Sequence, residues 1–389
     1  MTRPALYPSL FQINTRVWLT QLSRELGHPA TLDDIPDAEL DQLSELGFDW
    51  IWMLSVWQTG AAGQQVSRNN HEWRREFEET LPDLREEDIG GSGFAITGYR
   101  VHQGLGGDES LARLRERLRK RGLRLMLDFV PNHTGLDHPW VENHPEYYIP
   151  GTELDLARTP KNYTWVKRKQ GDLLLAYGRD PYFPGWPDTL QLNYANPATQ
   201  DAMLAELVKI AGQCDGVRCD MAMLVLPEVF QRTWGLPAQP FWPKSTETVR
   251  KKVPGFCFMA EVYWDLEWTL QQQGFDYTYD KRLYDRLRGG EARPVREHLG
   301  AGLDYQGRLA RFLENHAGDE RLLVAVNYSA HQSQCYVRLP FTDLAGSTWR
   351  LRDQLEGVVY DRDGGDLASR GLYLDVPPWH AHVLAMTRA

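Results

Sequence analysis

The chain reads as an α/β protein: a (β/α) barrel of TIM type that stops one unit short, interrupted by an inserted subdomain and followed by an antiparallel β-sandwich. Three observations predict this. Short apolar runs alternate with amphipathic helical stretches from the amino terminus, the βαβ rhythm of a parallel sheet. Several of those runs end in charged or amide side chains, as barrel strands do where they open onto a site. From Leu322 the pattern becomes one short strand after another without helices, which is the pattern of a small sandwich.

The elements follow in order. Residues 10–14 (LFQIN) read as a strand, 37–46 as a helix and 50–56 as a strand. In the helix at 108–121, Leu111, Leu114 and Leu118 fall at i, i+3 and i+7, and Gly122 ends it before the strand at 123–130. From His133 to about residue 196 the periodicity gives way to a stretch rich in Pro, Gly, Tyr and Trp, far longer than a connection inside a compact unit. It is assigned to an inserted subdomain, residues 133–195. The barrel rhythm resumes with a helix at 197–212, a strand at 216–220, a helix at 245–252 and strands at 256–261 and 275–279. A helical region then leads to a seventh strand ending at His316. The barrel is assigned to 1–132 and 196–318 and the sandwich to 322–389.

Only Ala317 to Arg321 separate the seventh strand from the sandwich. A further helix, strand and helix would need on the order of 50 residues there. Seven strands leave the first and the last with a bare edge, so the sandwich, a second copy of the chain as a homodimer, or rearranged strands are expected to cover the gap.

Composition narrows the function classes. Lys and Arg number 43 against 53 Asp and Glu, a formal charge of −10, which argues against a nucleic-acid partner because phosphate binding needs a basic face. The 14 Trp and 17 Tyr offer flat faces of the kind sugar rings pack against. Cys214, Cys219, Cys257 and Cys335 lack metal-ligand spacing and are expected to be reduced, buried hydrophobes. The amino-terminal residues carry no basic region followed by a long apolar core, and no apolar run is long enough to cross a bilayer. A soluble, cytoplasmic protein without a membrane partner is therefore expected.

The chemistry sits in four segments: LDFVPNHTG around Asp128, GVRCDMA around Asp220, FMAEVYW around Glu261 and FLENHA around His316. Asp220 and Glu261 close two successive parallel strands, so both should face the same mouth. Paired carboxylates about 5 to 5.5 Å apart let one attack an anomeric carbon while the other protonates the leaving oxygen. Arg218, two residues before Asp220 and on the same strand face, would hold that carboxylate ionised. Glu261 stands among Phe258, Met259 and Trp264, where burial would raise its pKa as a general acid requires. Singly, each of these residues reads as a structural ion pair or cap; four strand-end segments in order are hard to explain that way.

In order and spacing the four segments resemble the sequence regions of the α-amylase family of glycoside hydrolases, family 13, over nearly the whole chain. The resemblance implies a retaining α-glucan hydrolase acting on α-1,4 bonds of starch or maltodextrins through a covalent glycosyl-enzyme. It makes Asp220 the nucleophile, Glu261 the general acid/base and Arg218 the support of the nucleophile. His133 and His316 become ligands of sugar hydroxyls, Asp128 and Asn132 supports of that end of the site, Tyr99 a stacking platform and Trp264 a substrate contact. Two departures matter. The family's fourth segment ends Asn-His-Asp, whereas Ala317 follows Asn315 and His316 here. The family's calcium site uses the Asn of the first segment with an Asp late in the inserted domain, but that position is Gln191, so no cofactor is expected and calcium is disfavoured. Two other functions stay open: a 4-α-glucanotransferase using the same intermediate, and a glucan-binding or regulatory protein with impaired turnover.

Overall fold

Seven short strands form one parallel sheet in chain order: β1 (Leu10–Asn14), β2 (Trp50–Leu54), β3 (Arg124–Phe129), β4 (Gly216–Cys219), β5 (Cys257–Ala260), β6 (Tyr277–Tyr279) and β7 (Leu309–Ala310). The structure is a computed structural model that describes residues 8–289, 292–310, 321–327, 330–339 and 341–389. Among the described residues β1 pairs only with β2 and β7 only with β6, so the sheet is an incomplete (β/α) barrel. The end of the seventh segment, with Asn315, His316 and Ala317, lies outside the described residues.

Alternation along the strands separates two cores. Ile51, Met53, Leu125, Leu127, Val217, Cys219, Phe258 and Ala260 point outward and join the large core beneath the helices. Trp50, Trp52, Met126, Cys257 and Met259 point inward and make a separate cluster. Tryptophan and methionine, rather than branched aliphatics, thus fill the interior below the strand ends. The helix Gly107–Lys120 buries Leu111, Leu114 and Leu118 on one face. It is tied to the sheet by Arg115, whose Nη2 donates to Asp215 Oδ1 at 2.6 Å, while Asp215 Oδ2 accepts the Leu125 amide at 2.8 Å.

Two excursions interrupt the rhythm. The one after β3 carries the paired strands His133–Gly135 with Thr189–Gln191 and Tyr163–Val166 with Leu173–Ala176. The other, which sequence patterning left unassigned, lies between β2 and β3: the strands Trp57–Thr59 and Ile96–Val101 pair and enclose the helices Ala61–Asn69 and His71–Thr80. The second of these helices buries none of its residues.

The chain falls into two compact units. One is Leu10–Tyr279 with Arg308–Ala310; the other takes in Asp280–Gly307 and the residues from Arg321 on. In the latter, the expected strands appear at Arg321–Val326, Ser333–Val337, Leu372–Val376 and Ala381–Arg388. Thr348–Asp353 and Val359–Asp363 add two strands that charged residues had disguised, and a helix at Gly364–Ser369 corrects the expectation of none. Leu344, Trp349, Leu351, Leu374, Leu384 and Met386 form their core. The cysteines form no disulfide; Cys214, Cys219 and Cys257 are buried, but Cys335 is exposed, because it lies on a strand that leaves residues 333–336 exposed on both faces. Among the described residues no helix is long and apolar enough to cross a membrane.

Gly216 opens β4 where a Cβ would stand 2.9 Å from both the Cβ and the carbonyl oxygen of Cys257 and 3.1 Å from the Trp50 ring. Gly216→Ala should therefore cost about 1–3 kcal/mol of stability, read as a lowered denaturation midpoint.

Candidate active site

The sheet register builds the site. Arg218 on β4 lies opposite Asp128 on β3 and Met259 on β5, and the amides of Asp220 and Glu261 continue the ladder by donating to Phe129 O (2.8 Å) and Cys219 O (3.0 Å). Side chains two apart share a face, so Arg218 and Asp220 both turn inward and meet Glu261 from the next strand.

Arg218 is the hub. Its Nη1 donates to Asp220 Oδ1 at 2.6 Å, its Nη2 to Glu261 Oε2 at 2.5 Å and its Nε to the Tyr279 hydroxyl at 3.1 Å. Asp128 Oδ1 lies 3.7 Å from Nη1. The rings of Trp52, Phe94 and Tyr279 surround the guanidinium at 5.2 to 5.7 Å. Burial works against the Arg218 charge, but Asp220, Tyr279, Glu261 and Asp128 outweigh it and raise its pKa.

Each carboxylate has further donors. Glu261 Oε1 accepts the Tyr263 hydroxyl at 2.6 Å, and Oε2 accepts the Met221 amide at 2.9 Å. Asp128 accepts the Trp52 indole N–H at 3.2 Å and the Ser55 amide at 3.1 Å. Met221 and Ser55 both adopt left-handed backbone, φ 43° and 65°, which side chains rarely take and which aims their N–H groups at the carboxylates. Burial, then the charge of Asp220, raises the Glu261 pKa. Burial pushes Asp128 up to about 7, with Arg218 opposing. His133 is pushed down to about 4 by burial, so it is neutral at pH 7.

Arg218, Asp220, Met221 and Glu261 form the floor of a cavity of about 750 Å³. His133, Trp186 and Asp188 line one side, with His133 and Trp186 edge to face at 5.2 Å between centroids. Burial raises the Asp188 carboxyl. Trp73 and Phe77 of the helix His71–Thr80, with Leu81, Leu84 and Phe94, line another side.

Arg218, Asp220, Glu261, Asp128 and His133 thus come together; three other expected residues do not join them. Tyr99 offers no stacking face: it is buried, and its hydroxyl donates to Val130 O at 3.1 Å and accepts the Val130 amide at 2.9 Å. Its ring packs on Trp57 and Phe129 in the outer core. Trp264 is not among the cavity's lining residues, because left-handed backbone at Trp264 and Asp265 turns the ring onto Tyr182, 4.9 Å between centroids. Asn132 is buried away from the cavity, where its backbone and side-chain oxygens accept from Gln191 Nε2 at 3.0 and 2.9 Å. Sequence reasoning missed Tyr263, Tyr279, Trp52, Asp188 and the Trp73–Phe77 wall. Tyr263 could have been found, since it stands two residues after Glu261 in EVYW and so shares its side of the strand end.

Removing the hub leaves three buried carboxylates without their cation. Arg218→Ala should cost about 3–5 kcal/mol at neutral pH. Asp128 and Glu261 have folded-state pKa values above their unfolded ones, so their contribution is most favourable at low pH and is lost as pH rises. Urea denaturation of both proteins between pH 5 and 8 should show the deficit widening with pH.

A family model for the α-amylase catalytic domain matches residues 30–280. Residues of this chain are 32% identical over 131 positions to an α-glucosidase of Apis mellifera, covering 28% of this chain and 22% of that one. The α-amylase 3 of Dictyoglomus thermophilum is 25% identical over 212 positions, 50% of this chain and 38% of its own. The chain thus matches well under half the length of these curated relatives. The maltogenic α-amylase AmyB of Thermotoga neapolitana has a similar fold, with a TM-score of 0.55 at 13% identity over 98% of both chains. With a match over most of its length to the catalytic-domain model, and with three of the four segments converging on one carboxylate site among the described residues, the chain belongs to the α-amylase family, glycoside hydrolase family 13.

Proposed function

We propose that the protein is a retaining α-glucan hydrolase cleaving α-1,4-glucosidic bonds of maltodextrins or starch. The observation that carries this reading is the pair Asp220 and Glu261 on a single guanidinium, at the floor of a cavity with aromatic walls. In this reading Asp220 attacks the anomeric carbon and Glu261, protonated, delivers its proton to the departing oxygen. The same Glu261, now ionised, takes a proton from the water that releases the sugar. The raised Glu261 pKa supports the acid role, since it keeps a larger protonated fraction near neutrality. Neutral His133 can donate to or accept from a sugar hydroxyl, and Trp73, Phe77, Phe94 and Trp186 offer faces to sugar rings.

Water and a sugar hydroxyl compete for the same covalent intermediate, so transfer to a second glucan is the same chemistry with a different acceptor. A binder without turnover is the second reading, and Ala317 in place of the third family carboxylate favours it. We further propose that the family's calcium position is not used. Gln191 Nε2 donates to Asn132 O, Asn132 Oδ1 and Leu192 O, placing N–H groups against the oxygens a hard cation would need.

Product release from maltoheptaose should fall by at least ~10³-fold in Asp220→Asn and Glu261→Gln while sugar binding persists; binding without turnover in the unaltered protein would favour the second reading. A 5-fluoroglucosyl fluoride should label Asp220 covalently, seen by peptide mass spectrometry. In Tyr263→Phe the carboxylate loses a hydrogen bond that favours its charged form, so the Glu261 pKa rises. The alkaline limb of kcat/KM should therefore move to higher pH.

A further inference from the structure

At one end of the carboxy-terminal sheet, Glu356, His380 and His382 bring three ligand atoms within 4.8 Å of one another. None belongs to the carboxylate site. The sequence spacing is that of a strand: His380 and His382 stand at i and i+2 around the start of Ala381–Arg388, so both project from one face. Glu356 comes from the turn after Thr348–Asp353, the strand beside it in the sheet.

All three ligands sit on anchored backbone. His382 is paired in the ladder with Ala325, and the carbonyl of His380 accepts the Asn327 amide at 2.8 Å. The turn carrying Glu356 is closed by Gly357 N–H donating to Asp353 O at 2.8 Å and is tied to the strand by Gln354 N–H donating to Val383 O at 2.7 Å. Trp379, next to His380, is held in left-handed backbone at φ 55°.

Behind the ligands stands Asp353, which is fully buried. Its Oδ1 accepts the amides of Leu355 (3.0 Å) and Val383 (3.4 Å), and its Oδ2 lies 2.6 Å from His382 Nδ1. A carboxylate on one imidazole nitrogen fixes the ring and leaves the other nitrogen, Nε2, to accept a metal. His380 Nε2 and Glu356 Oε1 lie 2.8 Å apart, and the two histidine rings stand 5.4 Å apart between centroids.

We propose that Glu356, His380 and His382 bind a divalent transition-metal ion, with zinc the best match, and that Asp353 positions His382. Two imidazoles and one carboxylate suit a borderline-soft cation better than calcium or magnesium, which take oxygen ligands. Zinc at about 2.0–2.2 Å from each ligand needs ligand atoms about 3.4 Å apart, so the His380–Glu356 pair would open from 2.8 Å and the wider spacings, within 4.8 Å, would close. As plain ion pairs, these part-exposed contacts would contribute little, whereas an ion would fasten the turn at 353–358 to the final strand.

The test uses the 389-residue chain, stripped with chelator and titrated with Zn²⁺ and Co²⁺. The expected result is one equivalent of Zn²⁺ bound, a raised denaturation midpoint, and visible absorption from Co²⁺ in a low-coordinate site. His382→Ala and the more conservative Glu356→Gln should abolish all three. Asp353→Asn should weaken binding about 10–100-fold, the range for loss of a histidine-orienting carboxylate. Failure to bind one equivalent, or binding unchanged in both Glu356→Gln and His382→Ala, would overturn the proposal. None of these readouts depends on glycosidase activity.

Discussion

A buried guanidinium facing three carboxylates is the constraint around which the parallel sheet is arranged. Asp128, Asp220 and Glu261 are almost without solvent, and one cation cannot balance three anions in a medium that screens poorly. The site relieves this by keeping protons: burial pushes Asp128 up to about 7 and raises Glu261. Hydrogen-bond donors take up the rest of the load, from Trp52, Tyr263 and two backbone amides. The polar centre and the apolar interior are therefore one design. Trp50, Trp52, Met126 and Met259 exclude water beneath the strand ends, and that exclusion is what makes the charges interact strongly.

The backbone carries part of the same burden. Ser55 and Met221 sit in a conformation that costs of order 1–3 kcal/mol for a residue with a side chain. Each follows a strand end, and each uses the turn to direct an amide at a carboxylate. Side-chain donors alone would need room that the packed interior does not leave. Met221 also marks where strand geometry ends and the 3₁₀ turn Ala222–Val225 begins, so the chain leaves the sheet at the point where it serves Glu261.

Much of this was legible in the sequence, for reasons that also explain what was not. Arg218, Asp220 and Glu261 could be placed because a strand has a period of two and a parallel sheet aligns its ends. Those are local rules, and they hold from β3 to β5. Tyr99 failed because its direction depends on the pairing of Trp57–Thr59 with Ile96–Val101, a register set by distant residues. Trp264 failed because two consecutive left-handed residues re-aim it, which no pattern of hydrophobicity records. The Trp73, Phe77, Leu81 stripe has the spacing of an ordinary core-facing helix; only the tertiary structure turns that face toward a cavity. The fourth segment lies outside the described residues, so its His316 stands on sequence alone.

Asp128, Arg218, Asp220 and Glu261 come from β3, β4 and β5, three consecutive strands bonded to one another in the middle of the sheet. The chemistry is therefore held by a central block, which β2 and β6 brace directly through Trp52 and Tyr279, while β1 and β7 lie one strand further out. A fold organised in this way can accept insertions and deletions at its margins without displacing the reacting groups. Evolution can then trial new boundaries at the periphery, altering access, partners and length, while the inherited centre stays in register.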